Sequence, residues 1–161
     1  MNKARKCVFA GTFDPPTLGH KSMIEECLKL FDEVVVAILI NPDKAPYFTV
    51  EQREEMLALD FEGESCLRIL SFEGTVAELL KKENTSIYVR GIRNGVDLDY
   101  ENANFYASKK LDKEITAVYL PCPQELLHVS STMVRNSLKF GTPIEEYVSE
   151  RVREYIQRIK E

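Results

Sequence analysis

The sequence predicts an α/β fold: a five-stranded, mainly parallel sheet with helices on both faces and further helices closing the C-terminus. Three observations lead there. Short apolar runs alternate with helix-period patterns along the 161 residues. One of those runs, Val34–Leu39, is nearly all β-branched or aliphatic, as a strand buried on both faces must be. No repeat, low-complexity stretch or linker interrupts the alternation, so residues 1–161 are expected to form one domain.

Taken in order, Cys7–Ala10 reads as a first strand, followed by the turn Gly11–His20 and a helix over Lys21–Phe31. That helix carries Met23, Ile24, Cys27, Leu28 and Phe31 on one face. Val34–Leu39 is the second strand, and the proline-containing segment Asn41–Phe48 a loop. Thr49 with Gln52 three residues later has the form of a capping box and starts a helix to about Leu59. Leu67–Leu70 is a strand, Thr75–Asn84 a helix, and Ile87–Val89 a strand ended by Arg90-Gly91. A polar-aromatic helix over Leu98–Leu111, a strand over Ile115–Leu120 and helices over Ser130–Phe140 and Ile144–Ile159 complete the chain. Strands alternating with helices require right-handed crossovers. Ligands of such sheets bind beyond the carboxyl ends of the strands, which brings the turns after Ala10, Leu39, Phe72, Val89 and Leu120 together.

Composition narrows the partners. The chain is 44% hydrophobic and 29% charged with a formal net charge of −5, which disfavours general nucleic-acid binding. The basic N-terminus precedes an apolar run too short for a signal peptide, and no run reaches the roughly 20 apolar residues of a membrane span. Cys7, Cys27, Cys66 and Cys122 are widely spaced, which suits reduced thiols in the cytoplasm better than disulfides or zinc. Two histidines, His20 and His128, are too few for a histidine-rich metal site, so no metal-ligating set is expected.

The turns at the sheet edge hold the chemistry-bearing residues. Gly11 allows close approach to the backbone, Thr12 offers a hydroxyl, and His20 falls in the first turn of a helix whose positive end favours phosphate. Lys44 follows the second strand, Arg90 and Arg93 the fourth, and Val129-Ser130-Ser131-Thr132 opens a helix after the fifth. Individually each has an ordinary role: a cap, a solvated loop charge, an ion-pair partner for Asp97 or Asp99, or, for His128, a loop histidine. Together they gather cations, one imidazole and two helix N-termini at one edge of an acidic protein, an arrangement suited to binding phosphates.

Those residues carry a resemblance. Gly11-Thr12-Phe13-Asp14-Pro15 with Thr17-Leu18-Gly19-His20 resembles the (His/Thr)-x-Gly-His signature of the nucleotidyltransferase superfamily. Arg90-Gly91-Ile92-Arg93 and Asp99-Tyr100-Glu101 together narrow it to the bacterial phosphopantetheine adenylyltransferases, and the match extends through Asp43-Lys44 with Pro46-Tyr47-Phe48 and through Val129–Thr132. The resemblance covers essentially the whole chain. It implies a Rossmann-like nucleotidyltransferase fold and transfer of an adenylyl group from ATP to 4′-phosphopantetheine, giving dephospho-coenzyme A and pyrophosphate, with Mg2+. It further implies that His20, Lys44 and Arg93 are catalytic. Thr12, Phe13, His20, Gly91, Ile92, Arg93, Glu101 and the run Leu126, Leu127, His128, Val129, Ser130, Ser131 and Thr132 would hold ATP. Thr12, Lys44, Val76 and Arg90 would hold phosphopantetheine. A homohexamer regulated by coenzyme A is the assembly it implies. A nicotinate- or nicotinamide-nucleotide adenylyltransferase is the alternative reading, and a non-catalytic nucleotide sensor on the same scaffold another.

Overall fold

Val34–Ile38 leaves no polar face for water, and in the computed structural model, which describes residues 4–161, it is wholly buried in the middle of β2 (Glu33–Leu39). Beside it lie β1 (Lys6–Gly11) and β3 (Leu67–Phe72), and beyond β1 come β4 (Ile87–Ile92) and β5 (Thr116–Pro121). The order is β3-β2-β1-β4-β5 with every pair parallel. After β3 the chain therefore crosses to the far side of β1. The expected basic N-terminal segment lies partly outside the described residues. Among them, no helix is long and apolar enough to cross a membrane.

Alternate side chains of β1 and β2 feed opposite cores. Cys7, Phe9, Val34 and Val36 pack under Met23, Ile24 and Cys27 of α1 (Leu18–Leu30). Val8, Ala10, Val35 and Ala37 pack under Ala77, Leu79 and Leu80 of α3 (Val76–Lys82). A third core joins Met56 of α2 (Val50–Asp60) to Val134 of α5 (Ser131–Phe140) and to Val152, Tyr155 and Ile156 of α6 (Glu150–Lys160). Each fully buried aliphatic side chain contributes about 1.5–3 kcal/mol. α4 (Gly95–Leu111) lies over the β4 side and buries a single side chain, Glu101.

Several boundaries differ from the sequence reading for physical reasons. α1 begins at Leu18, not near Lys21, because Thr17 caps it. β4 does not end at Arg90-Gly91 but runs to Ile92, its added residues pairing with Tyr119–Pro121 of β5. α4 starts at Gly95, capped by the Asn94 side chain on the Asp97 amide. The last helix starts at Glu150, capped by Ser149, so 144–149 is a turn segment rather than helix. A short 3-10 turn, Gln124–Leu126, precedes α5.

The crossover at β1 positions the site. β1 and β4 share only the register pairs Val8–Tyr88 and Phe9–Val89. Beyond them, with the chain turning to opposite sides, a crevice opens at the carboxyl ends, the place where open α/β sheets bind ligands.

Candidate active site

The turn after β1 is held from several sides. Phe13 has a φ of +50°, a left-handed conformation that costs a bulky residue of order 1–3 kcal/mol. Packing over-determines it: its buried ring lies 6.0 Å from the Phe9 ring and 4.8 Å from the His20 imidazole. A Cβ at Gly11 would stand 3.3 Å from that ring, a tight contact that the ring would have to yield to. Around the turn, Arg90 donates to the Ala10 carbonyl, Arg53 Nη1 to the Thr12 carbonyl at 2.8 Å and Arg135 Nη1 to the Asp14 carbonyl at 2.7 Å. Ser131 Oγ donates to the Pro15 carbonyl at 2.8 Å.

His20 is the third residue of α1, and its ring closes a capping box. The Thr17 amide donates to His20 Nδ1 at 3.1 Å, while Thr17 Oγ1 accepts from the His20 amide. A backbone N–H is always a donor, so Nδ1 must be unprotonated and the proton of the neutral ring sits on Nε2. Burial first, then the nearby charges of Arg90 and Arg93, push the imidazole pKa down to about 4. The result is a neutral donor of fixed tautomer at a cavity of about 380 Å³.

Thr12, Phe13, His20, Arg90, Gly91, Arg93, Glu101, Val129, Ser130 and Ser131 all line that cavity, with Met23, Cys122 and Arg135. The two arginines are already paired. Arg90 Nη2 meets Glu101 at 2.7 Å, and Arg93 Nε meets Asp97 at 3.0 Å. The Arg93 pair holds the Asp97 carboxyl below the usual range, while the buried Arg90 Nε has no partner. At the start of α5, Ser130 Oγ accepts from the Met133 amide at 3.2 Å, capping a helix whose N-terminus faces the crevice.

Lys44 does not share this first cavity. It lies on the exposed Asn41–Phe48 loop and lines an adjoining cavity of about 1180 Å³, together with Leu39, Pro46, Tyr47, Val50 and Gly74. Thr12, Asp14 and Arg135 line both cavities and so form the boundary between them. Val76 is half-buried at the start of α3 and packs on the second core, outside the first cavity. Ile92 ends β4, Leu126 and Leu127 belong to the 3-10 turn and its cap, and His128 packs edge-on against Tyr147 at 6.1 Å. Thr132 Oγ1 accepts from Arg135 Nη2 at 3.1 Å.

Two residues at the centre were not singled out from sequence. Arg135 stands one helical turn after Ser131, a spacing that puts both on one face of α5. Asp14 was visible only as part of the turn motif, and its partners are over thirty positions away. Among the described residues no three His, Cys, Asp or Glu side chains gather into an all-protein cage for a divalent cation. The site's carboxylates are also taken, Asp14 by two amides, Asp97 by Arg93 and Glu101 by Arg90.

The chain is similar to known proteins along most of its length. A cytidylyltransferase-like family model matches residues 8–137. A phosphopantetheine adenylyltransferase of Flavobacterium johnsoniae is 36% identical over 149 residues, 92% of this chain and 97% of that one. One from Neisseria meningitidis serogroup C is 41% identical over 135 residues, 83% of this chain and 79% of that one. In fold alone, the structure of Plasmodium falciparum nicotinic acid mononucleotide adenylyltransferase complexed with NaAD matches with a TM-score of 0.73 at 17% identity, covering 98% of this chain and 97% of that one. With relatives this similar along most of their length, the chain belongs to the phosphopantetheine adenylyltransferase family.

Proposed function

We propose that this protein transfers the adenylyl group of ATP to 4′-phosphopantetheine, giving dephospho-coenzyme A and pyrophosphate. The observation that carries the reading is the pair of cavities meeting at Thr12, Asp14 and Arg135, one with the imidazole of His20 and the other with the ammonium of Lys44. Triphosphate in the first and an acceptor phosphate in the second would approach each other across that boundary. An acceptor oxygen attacks the α-phosphorus, a P–O bond forms, and the α–β bridging bond breaks with its electrons leaving on pyrophosphate. A phosphate monoester is nucleophilic at neutral pH, so no strong base and no covalent enzyme intermediate are required. Catalysis is then positioning and charge stabilisation.

In this reading Nε2–H of His20 donates to an oxygen of the α-phosphoryl group as charge builds there. Arg93 sits at the same cavity, and the start of α5 receives the leaving pyrophosphate, an interaction worth about 0.3–1 kcal/mol, rising to about 2 when partly buried. Lys44, on its exposed loop, neutralises the acceptor phosphate as a mobile point charge. Magnesium would arrive on the phosphates of ATP, the usual mode for an ion that keeps its waters. A cytoplasmic homohexamer responsive to coenzyme A is part of the same proposal.

Pyrophosphate release from ATP, measured with phosphopantetheine, nicotinate mononucleotide and choline phosphate in parallel, tests the reading. Release with the first alone is expected. Release with nicotinate mononucleotide instead would transfer the protein to the other adenylyltransferases, and release with none would leave a nucleotide sensor.

A further inference from the structure

Asp14 is a carboxylate with only 6% of its surface exposed, in a position where burial of an unpaired charge would cost several kcal/mol. Both oxygens are satisfied by backbone. Oδ2 accepts from the Tyr47 amide at 2.8 Å and Oδ1 from the Phe48 amide at 2.8 Å. Those amides close the Asn41–Phe48 loop, whose residues 41–47 are all exposed and whose only buried member is Phe48, fixed in the third core. Lys44 lies three residues before the tethered amide of Tyr47. Asp14 is also tied the other way: its carbonyl accepts from Arg135, which reaches on to Thr132 at the start of α5.

We infer that Asp14 is a positioning residue that fixes the Lys44 loop relative to the nucleotide turn, and so sets where the acceptor phosphate stands with respect to the triphosphate. A neutral amide at this position could accept from one backbone N–H but would turn its own NH2 toward the other. The loop would keep the Phe48 anchor and lose its register beside the turn, and displacement by an ångström is enough to cost up to about 100-fold in a reaction of aligned groups. Arg53, which joins the Thr12 carbonyl to the Thr49 carbonyl at 3.2 Å, continues the same brace into α2.

The inference rests on the proposed function, and the test separates the two. Steady-state kinetics are measured for the wild type, Lys44→Ala, Asp14→Asn and the double variant, with affinity for a non-hydrolysable ATP analogue measured by direct binding. Asp14→Asn is expected to raise the KM for phosphopantetheine about tenfold or more while the ATP-analogue Kd stays within about threefold. Lys44→Ala, expected to raise that KM about tenfold in the wild-type background, should add less than about threefold once Asp14 is Asn, because the ammonium is already misplaced. Full additivity, or an equal loss of ATP-analogue affinity, overturns the inference, since general loosening of the fold would give either. Should Asp14→Asn not fold, Tyr47→Pro deletes one of the two donors at an exposed position. Its KM must exceed that of Tyr47→Ala, which keeps the amide, and equal values overturn the tether. Hydrogen exchange in the wild type gives a readout free of activity: protected Tyr47 and Phe48 amides support the tether and freely exchanging ones overturn it. Absence of turnover with phosphopantetheine defeats the functional reading alone.

Discussion

At the scale of a single residue, the hydrogen bond from the Thr17 amide to His20 Nδ1 decides what the imidazole can do. It leaves Nε2–H as the one donor, and burial beside two arginines keeps the ring neutral down to about pH 4. Two outcomes follow. His20→Ala should lower turnover about 100-fold or more, the scale of losing one transition-state donor, with little change in affinity for an ATP analogue. Near-normal turnover would remove His20 from the reaction. The folded ring takes up its proton well below the ordinary pKa of 6.5, so between pH 6.5 and about 4 the unfolded chain binds more protons than the folded one. Stability from this group is full above pH 6.5 and is lost as pH falls towards 4, by a few kcal/mol in all. Denaturation midpoints measured at pH 7 and pH 4.5 should therefore differ less in His20→Ala than in the wild type. Equal differences would show the imidazole to be freely solvated.

At the scale of elements, the contrast between two capping boxes explains what could be read from the sequence. Thr49 and Gln52 match the familiar pattern, and the helix they cap lies where the sequence put it. Thr17 and His20 form the same reciprocal pair, but with an imidazole in place of Glu or Gln, so the pattern is silent and the helix starts three residues earlier than its apolar face suggests. β4 shows a second kind of silence. Arg90-Gly91 has the composition of a turn, yet the backbone of Arg90 pairs in register with Tyr119 of β5, an edge that local composition does not reveal. The parallel sheet and the meeting of distant loops were legible because apolar runs and crossovers allow few arrangements. The split into two cavities was not, since it depends on where Lys44, Asp14 and Arg135 stand in space. Thr17→Ala removes the hydroxyl acceptor of the cap and should lower stability by about 1 kcal/mol, while Thr17→Ser should be nearly neutral. Chemical denaturation decides it, and an unchanged midpoint for Thr17→Ala would mean that the imidazole alone holds the end of α1.

At the scale of the whole molecule, the two ends of the sheet are finished unequally. On the β2 side, strand and helices bury a continuous core, whereas α4 covers its side with seventeen residues of which only Glu101 is buried. Val96 is 77% exposed, Tyr106 63% and Leu111 67%, and on the adjoining edge strand β5 Tyr119, whose hydroxyl donates to Asn102 of α4, is only partly covered. Singly exposed apolar residues are ordinary, but a helix and an edge strand left incomplete side by side form a surface that water penalises. The proposed homohexamer would cover it. Light scattering in line with size exclusion should then give roughly six times the 18.5 kDa chain mass. Replacing Tyr106 with Asp and Leu111 with Glu together should lower that mass while the far-ultraviolet circular dichroism stays that of the wild type. Because neither residue lines either cavity, loss of activity on dissociation would mean that the assembly supports the site from outside. A wild-type protein that runs as a single chain at micromolar concentration, or a double variant with an unchanged mass, would rule out this face as the contact.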